Sequence, residues 1–123
     1  MKRILALLCV GILAVMMAVG VTAAAVPGIT DNQVVVGAFQ DQSGAAAVVG
    51  INMRKGMEAY FNWVNAQGGV NGRKIKFIVE DDGFQAARAI AATKKLVEQD
   101  KVFALVGTLG TPGVAATIDY IME

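Results

Sequence analysis

The 123 residues contain no histidine, and the single cysteine, Cys9, lies inside an apolar run near the N-terminus. Without histidine, the triads and dyads that use an imidazole base cannot be built, and a leader that took Cys9 away would leave no thiol nucleophile or disulfide. Lipidation at Cys9 is disfavoured, because Leu8 rather than a small residue precedes it. Charge of either sign is scarce: 11 Lys and Arg stand against 10 Asp and Glu, a formal net charge of +1. The basic residues are dispersed, so no nucleic-acid footprint is present. No G-x-S-x-G elbow occurs, no G-x-G-x-x-G follows the first apolar run, and no Lys-Ser/Thr pair follows the later glycines. The expectation is a protein with no catalytic residues, no metal and no cofactor.

What the sequence does have begins with a leader. Lys2 and Arg3 precede an apolar run over residues 4–21, and small residues follow at 22–25. That is the build of a secretory signal peptide, with cleavage expected after Ala23 or Ala25. The run is also about long enough for a membrane anchor; the alanine-rich exit favours cleavage. Removing Lys2 and Arg3 leaves nine basic against ten acidic residues, a net charge of −1. Residues 1–25 are therefore assigned as signal peptide and residues 26–123 as an exported, near-neutral domain.

The domain is organised around NAQGGVNGRKIKFIVEDDGF, residues 65–84. Gly68 and Gly69 suit the left-handed end of a helix, and Asn71-Gly72 a tight turn. Alternation of Ile75, Phe77 and Val79 with Lys76, Ile78 and Glu80 predicts a strand, broken by Asp81-Asp82-Gly83. Upstream, QVVVGAFQ (33–40) is almost continuously apolar, as in a strand buried on both faces at the centre of a parallel sheet. Met53, Met57, Tyr60, Phe61 and Val64 form the core-facing stripe of a helix over 50–67, with Trp63 at its margin. A second amphipathic helix is expected over 86–99, burying Ala89, Ile90, Thr93, Leu96 and Val97 and leaving Arg88, Lys94, Lys95 and Glu98 in solvent. VFALVG (102–107) reads as a third buried strand, and 114–122 as a third helix. The order β-α-β-α-β-α implies an α/β fold: a three-layer open parallel sheet joined by right-handed crossovers.

Such sheets bind ligands beyond the carboxyl ends of their strands. Three loops qualify: residues 41–49, 81–85 and 108–113. In the last, Thr111 is a good N-cap and Pro112 a good first helical residue, so the next amides, starting at Gly113, face the cleft unpaired. A helix start of that kind attracts a carboxylate or phosphate, and Gly110 allows close approach to the backbone. A capped helix with no ligand is the equally weighted alternative. Glu80 and Asp81 point to opposite faces of a strand, so they do not converge on a metal; Asp82 is expected to be solvated and to cap the following helix.

GITDNQVVVGAFQDQSGAAAVVG, AYFNWVNAQGGVNGRKI, EDDGF and LVGTLGTPG, taken with the leader, resemble the N-terminal part of periplasmic substrate-binding proteins of ABC importers. The group resembled is the branched-chain amino acid (leucine/isoleucine/valine) receptor type, with the periplasmic-binding-protein type I fold. The resemblance covers essentially the whole of residues 26–123. It implies a periplasmic receptor that closes two lobes on an amino acid or similar small carboxylate and delivers it to a membrane permease. It implies that Leu109, Gly110 and Thr111 hold the ligand carboxylate, chiefly through the Thr111 hydroxyl. Ser43 and Val49 would lie by the ligand side chain, and Phe84 at the cleft rim. Val49 is smaller than the residue leucine binders carry there, a departure from simple leucine specificity. Family members are several times as long, so the chain is expected to be a fragment holding an incomplete N-terminal lobe that binds weakly or not at all alone. A sensing domain of the same fold and a secreted doubly wound enzyme are the competing classes.

Overall fold

The computed structural model describes residues 25–122; the signal-peptide assignment lies outside the described residues. Three strands form one parallel sheet in the order β2-β1-β3: β1 is Gln33–Gln40, β2 is Lys74–Asp81 and β3 is Ala104–Leu105. β1 pairs along its whole length with β2, from Gln33↔Lys74 to Gln40↔Asp81, and through Val36 and Gly37 with β3. Its central position explains the unbroken apolar run, because both faces and both edges of β1 are occupied. Residues 36–40 are all buried.

Helix α1 (Ala47–Ala66) covers one face, where Phe61 meets Phe77 of β2 edge-on at 5.2 Å between ring centroids. Helices α2 (Ala86–Lys94) and α3 (Thr111–Met122) lie together on the other face. There Phe39, Ala89 and Ala92 form the buried core, with Val114 packed on it. Three layers result, as the sequence leads one to expect. α1 ends where anticipated: Gly68 and Gly69 have φ of +107° and +81°, and Asn71 and Gly72 have +50° and +80°. The last two make a two-residue turn closed by Val70 and Arg73, each donating its N–H to the other's carbonyl at 2.7 and 2.9 Å.

Four expectations need correction. Tyr60 leaves the α1 core stripe: it is exposed and stacks on Trp63 at 5.9 Å, because the narrow sheet covers only part of the helix surface. The second helix does not run unbroken to Gln99; after Lys94 it widens into a π turn, Lys95–Gln99. Lys95 stays largely in solvent, as expected, and pairs there with Glu80 at 2.5 Å and Asp100 at 3.2 Å, whereas Ile90 and Val97 are exposed and Ala92 takes a core place. β3 is shorter than residues 102–107, although Phe103 N–H and Val106 N–H continue its ladder to Val35 and Gly37 of β1 at 2.8 Å each. As the sheet edge it is not a buried strand, and Phe103 and Val106 remain exposed. Finally, α3 begins at Thr111 rather than Val114.

Candidate ligand-binding site

At the carboxyl ends of the strands, three aspartates organise the loops. Asp41, directly after β1, is fully buried. Its Oδ1 accepts the N–H groups of Ser43 (3.1 Å) and Gly44 (2.5 Å), and its Oδ2 accepts that of Ala46 (2.6 Å). Asp-x-Ser-Gly after a strand is turn chemistry, since a short carboxylate can bond the backbone two residues on. Asp81 closes β2. Its Oδ1 accepts N–H from Gln42 (2.9 Å) and Gly83 (3.0 Å), and its Oδ2 accepts from Ser43 Oγ (2.6 Å) and Arg88 Nη2 (2.8 Å). The loops after β1 and β2 are thereby tied to each other. Gln40 adds a third tie, donating from Nε2 to the Gly107 carbonyl at 2.8 Å.

Asp82 is the exception among the three. It is fully buried rather than solvated, and α2 is preceded by Gln85 with no side-chain cap, so the capping role expected of Asp82 does not occur. Burial wins because α3 closes over it: a Cβ built on Gly113 would stand 3.1 Å from Asp82 Oδ2. Its Oδ1 accepts the Phe84 N–H at 3.1 Å, whereas Oδ2 has no partner. One oxygen from each aspartate lies within 4.8 Å of the others. Yet all four oxygens of Asp41 and Asp81 already receive donors, which makes the cluster a brace for the backbone rather than a set of free ligands. Glu80 turns to the opposite face, onto Lys95, as strand alternation requires.

The two carboxyls on β2 and its loop titrate in opposite directions. Burial alone pushes Asp81 up, but hydrogen bonds from Ser43 Oγ, the Gln42 and Gly83 amides and Arg88 outweigh it and hold the carboxyl well below the usual range. Burial pushes Asp82 up; the Phe84 amide opposes this, and the charges of Asp41 and Asp81 reinforce it. An ordinary unfolded carboxyl titrates near about 3.9. Below that, the unfolded chain protonates Asp81 before the folded chain does, so its contribution to stability is lost as pH falls. Asp82 has the reverse sign: its folded state holds the proton longer, so stability is lost as pH rises above the unfolded value. Asp81→Asn should therefore flatten the acid side of a urea-midpoint profile taken from about pH 3 to pH 7. Asp82→Asn should raise the midpoint at neutral pH, and the gain should vanish at the acid end.

The helix start lies beside this brace. Gly110, with φ of +112°, accepts the Val114 N–H on its carbonyl at 2.9 Å. It is thus the cap, and Thr111 and Pro112 are the first two helical residues, so the helix begins one residue before the capping pattern places it. Among the described residues, no backbone carbonyl accepts from Thr111 or Gly113. Thr111 is exposed, and Gly110, Thr111, Val114, Ala115 and Ile118 line a shallow depression of about 440 Å³. Leu109 is half-buried and bonds through its amide to the Phe39 carbonyl at 3.1 Å, which fixes the loop to the end of β1.

Of the other expected site residues, Ser43 is exposed, but its hydroxyl donates inward to Asp81. Val49 is exposed on the first turn of α1. Phe84 is partly exposed with φ of +60°, a left-handed conformation that costs a residue other than glycine about 1–2 kcal/mol. Its ring lies on Gly110, where an added Cβ would meet two ring carbons at 3.2 Å. The structure thus joins Phe84 to Gly110, and Ser43 to the end of β2. Asp41 and Arg88, which organise the rim, were not singled out as site residues; the Asp-x-Ser-Gly turn was the available signal for the first, and nothing local marks the second.

An open parallel sheet whose strand ends carry ordered loops and an exposed helix start is the arrangement in which α/β domains hold ligands, beyond the carboxyl ends of the strands. A sequence profile for the family described as periplasmic binding protein matches residues 33–123, and the chain belongs to that family. It is 39% identical over 74 residues, 60% of its length, to an amino acid binding protein of Pseudomonas aeruginosa. Among solved structures, a fatty acid ABC transporter substrate-binding protein from Thermomonospora curvata superposes with a TM-score of 0.71 at 32% identity over 77% of the chain. A possible leucine/isoleucine/valine-binding protein from Rhodopirellula baltica does so at 0.70 and 32% over 81%. The branched-chain amino acid transporter substrate-binding protein from Streptococcus pneumoniae, solved with isoleucine, does so at 0.70 and 30% over 74%. The chain spans 20% of the Pseudomonas relative and 24%, 26% and 26% of the three solved structures. These relatives are binding proteins, and membership of the family implies an extracytoplasmic location.

Proposed function

We propose that the chain supplies part of the solute-binding component of an ABC importer, with residues 1–25 as its export leader and residues 26–123 as part of the N-terminal lobe. The ligand is an amino acid or similar small carboxylate, and a membrane permease receives it. One observation carries the reading: the α3 start exposes Thr111, whose amide is bonded to no backbone carbonyl, at the carboxyl edge of a parallel sheet. Relatives named for fatty acids and for branched-chain amino acids share one ligand chemistry, a carboxylate attached to an aliphatic chain. Thr111, Gly110 and Leu109 would hold the carboxylate, with Ser43, Val49 and Phe84 toward the rest of the ligand. Val49, being small, leaves room for a side chain larger than that of leucine.

The test is a titration of the exported chain, followed by backbone amide chemical shifts. L-isoleucine should shift the Thr111 amide saturably and at most with weak affinity, as expected of a partial site. L-isoleucinamide, which lacks the carboxylate, should not. Equal shifts at Thr111 from the two compounds, or shifts that leave Thr111 unmoved while other residues respond, would overturn the assignment. In a full-length version, Thr111→Val should weaken carboxylate binding by about 1–3 kcal/mol, the worth of a hydroxyl hydrogen bond to a carboxylate. Unchanged affinity in that variant removes Thr111 from the site.

A further inference from the structure

Phe84 is a large side chain in a conformation that glycine normally takes, next to a glycine that is itself left-handed at φ +56°. The loop after β2 forces this arrangement. Gly83 N–H is bound by Asp81 Oδ1 (3.0 Å), Phe84 N–H by Asp82 Oδ1 (3.1 Å), and Gln85 N–H by the Asp82 carbonyl (3.0 Å). Three consecutive amides are therefore fixed by two aspartates, and α2 begins directly afterwards. A backbone held in an unfavourable region by surrounding bonds is over-determined, and such positions cluster where function needs a defined geometry.

That geometry sends the ring across the top of the sheet. β2 and β3 are not neighbours, since β1 lies between them. The Phe84–Gly110 contact therefore joins the loops of the two outer strands over the end of the central one. Gly110 is fitted to receive it: a Cβ there would stand 3.2 Å from both Cδ2 and Cε2 of the ring, and its φ of +112° excludes most side chains in any case. The next residue is Thr111. From the same loop Asp82 lies against Gly113, so residues 82 and 84 both meet the start of the helix. The Asp82 contact is buried in the core, whereas the Phe84 contact is at the surface, where the ring could have turned to many other positions.

We infer that Phe84 is a positioning residue for the carboxylate end of the ligand site: its ring on Gly110 fixes the height and tilt of residues 108–112, and with them the Thr111 hydroxyl and amide. This inference rests on the proposed function for its ligand but not for its geometry. It changes the role the family resemblance implies, from a residue at the rim that meets the ligand to one that acts through Gly110. If the ring holds the loop in its binding arrangement, its removal lowers the fraction of molecules in that arrangement. Apparent affinity falls by the same fraction.

Three proteins test this: the parent chain, Phe84→Asn and Phe84→Tyr. Asparagine tolerates the left-handed backbone but has no ring, so the loop after β2 should keep its path. Nuclear relaxation of the ligand-free proteins should show lower order at residues 108–112 in Phe84→Asn, with parental order in Phe84→Tyr. Titration with L-isoleucine should give an apparent Kd at least about fivefold higher for Phe84→Asn, as expected if the competent fraction drops to about one fifth, and restored by tyrosine. Unchanged order at 108–112 in Phe84→Asn overturns the inference. If affinity falls while order is unchanged, Phe84 touches the ligand directly, and the positioning role is overturned as well. If the loop loosens in Phe84→Asn but the parent itself takes no amino acid, the ligand assignment has failed while the hold of Phe84 on the loop stands.

Discussion

Asp41→Ala is expected to cost about 3 kcal/mol or more, a large fraction of the roughly 5–15 kcal/mol that holds a domain together. The carboxylate is fully buried and accepts three backbone N–H groups, from Ser43, Gly44 and Ala46. Alanine removes every acceptor at once. Ser43 and Gly44 lie in exposed loop and can be partly rehydrated, which keeps the cost below the sum of three abandoned donors. Asp41→Asn should fall in between. Its one carbonyl oxygen can serve Ser43 and Gly44, but its amide then faces the Ala46 N–H, donor against donor. Asp81→Ala should cost less, because Asp81 keeps 30% of its side-chain surface exposed and water can replace it. Urea unfolding followed by circular dichroism gives all three values. A cost for Asp41→Ala no larger than that for Asp81→Ala would show that the loop after β1 is not organised by this carboxylate.

The parts of the fold that were legible in the sequence are those fixed by neighbours along the chain. The unbroken QVVVGAFQ run announces the central strand, the Asn-Gly pair the turn, and Gly68-Gly69 the helix end. What was illegible depends on partners far away in sequence. Asp82 sits in an acidic, glycine-containing stretch and reads as solvated loop; only the packing of α3 through Gly113 buries it. Lys95 reads as an exposed charge, which it is, but the sequence does not say that the π turn sets it between Glu80 and Asp100. Tyr60 fits the apolar stripe of α1 but lies beyond the edge of a narrow sheet. The candidate site divides in the same way. The α3 start was readable from Thr-Pro-Gly, with an error of one residue in the cap. The Phe84–Gly110 contact was not, because no local pattern states which loop ends meet above the sheet.

The second large effect separates packing from propensity within a single helix. Gly50 and Gly56 both lie in α1, where glycine is disfavoured against alanine by about 1 kcal/mol. Gly56 has open space around it, with no atom within 4 Å of an added Cβ, so Gly56→Ala should stabilise the chain by about 0.5–1 kcal/mol. Gly50 is buried, and its Cβ would stand 1.8 Å from the Asp41 carbonyl oxygen and 2.8 Å from the carbonyl carbon. These are backbone atoms at the end of β1, held by the Asp41 bonds described above, and they cannot swing aside as a flexible side chain would. Overpacking of that kind costs about 1–3 kcal/mol, and here relief requires the whole first turn of α1 to lift, so the upper end is expected. Gly50→Ala should therefore destabilise by about 3 kcal/mol despite alanine's better helix propensity. Thermal and urea midpoints of the two variants should move in opposite directions from the parent. The lifted turn carries Val49, so the same change should displace that side chain from the rim that Ser43 and Asp81 define. If Gly50→Ala proves as benign as Gly56→Ala, α1 does not rest on the end of β1, and Val49 has no fixed place at the cleft.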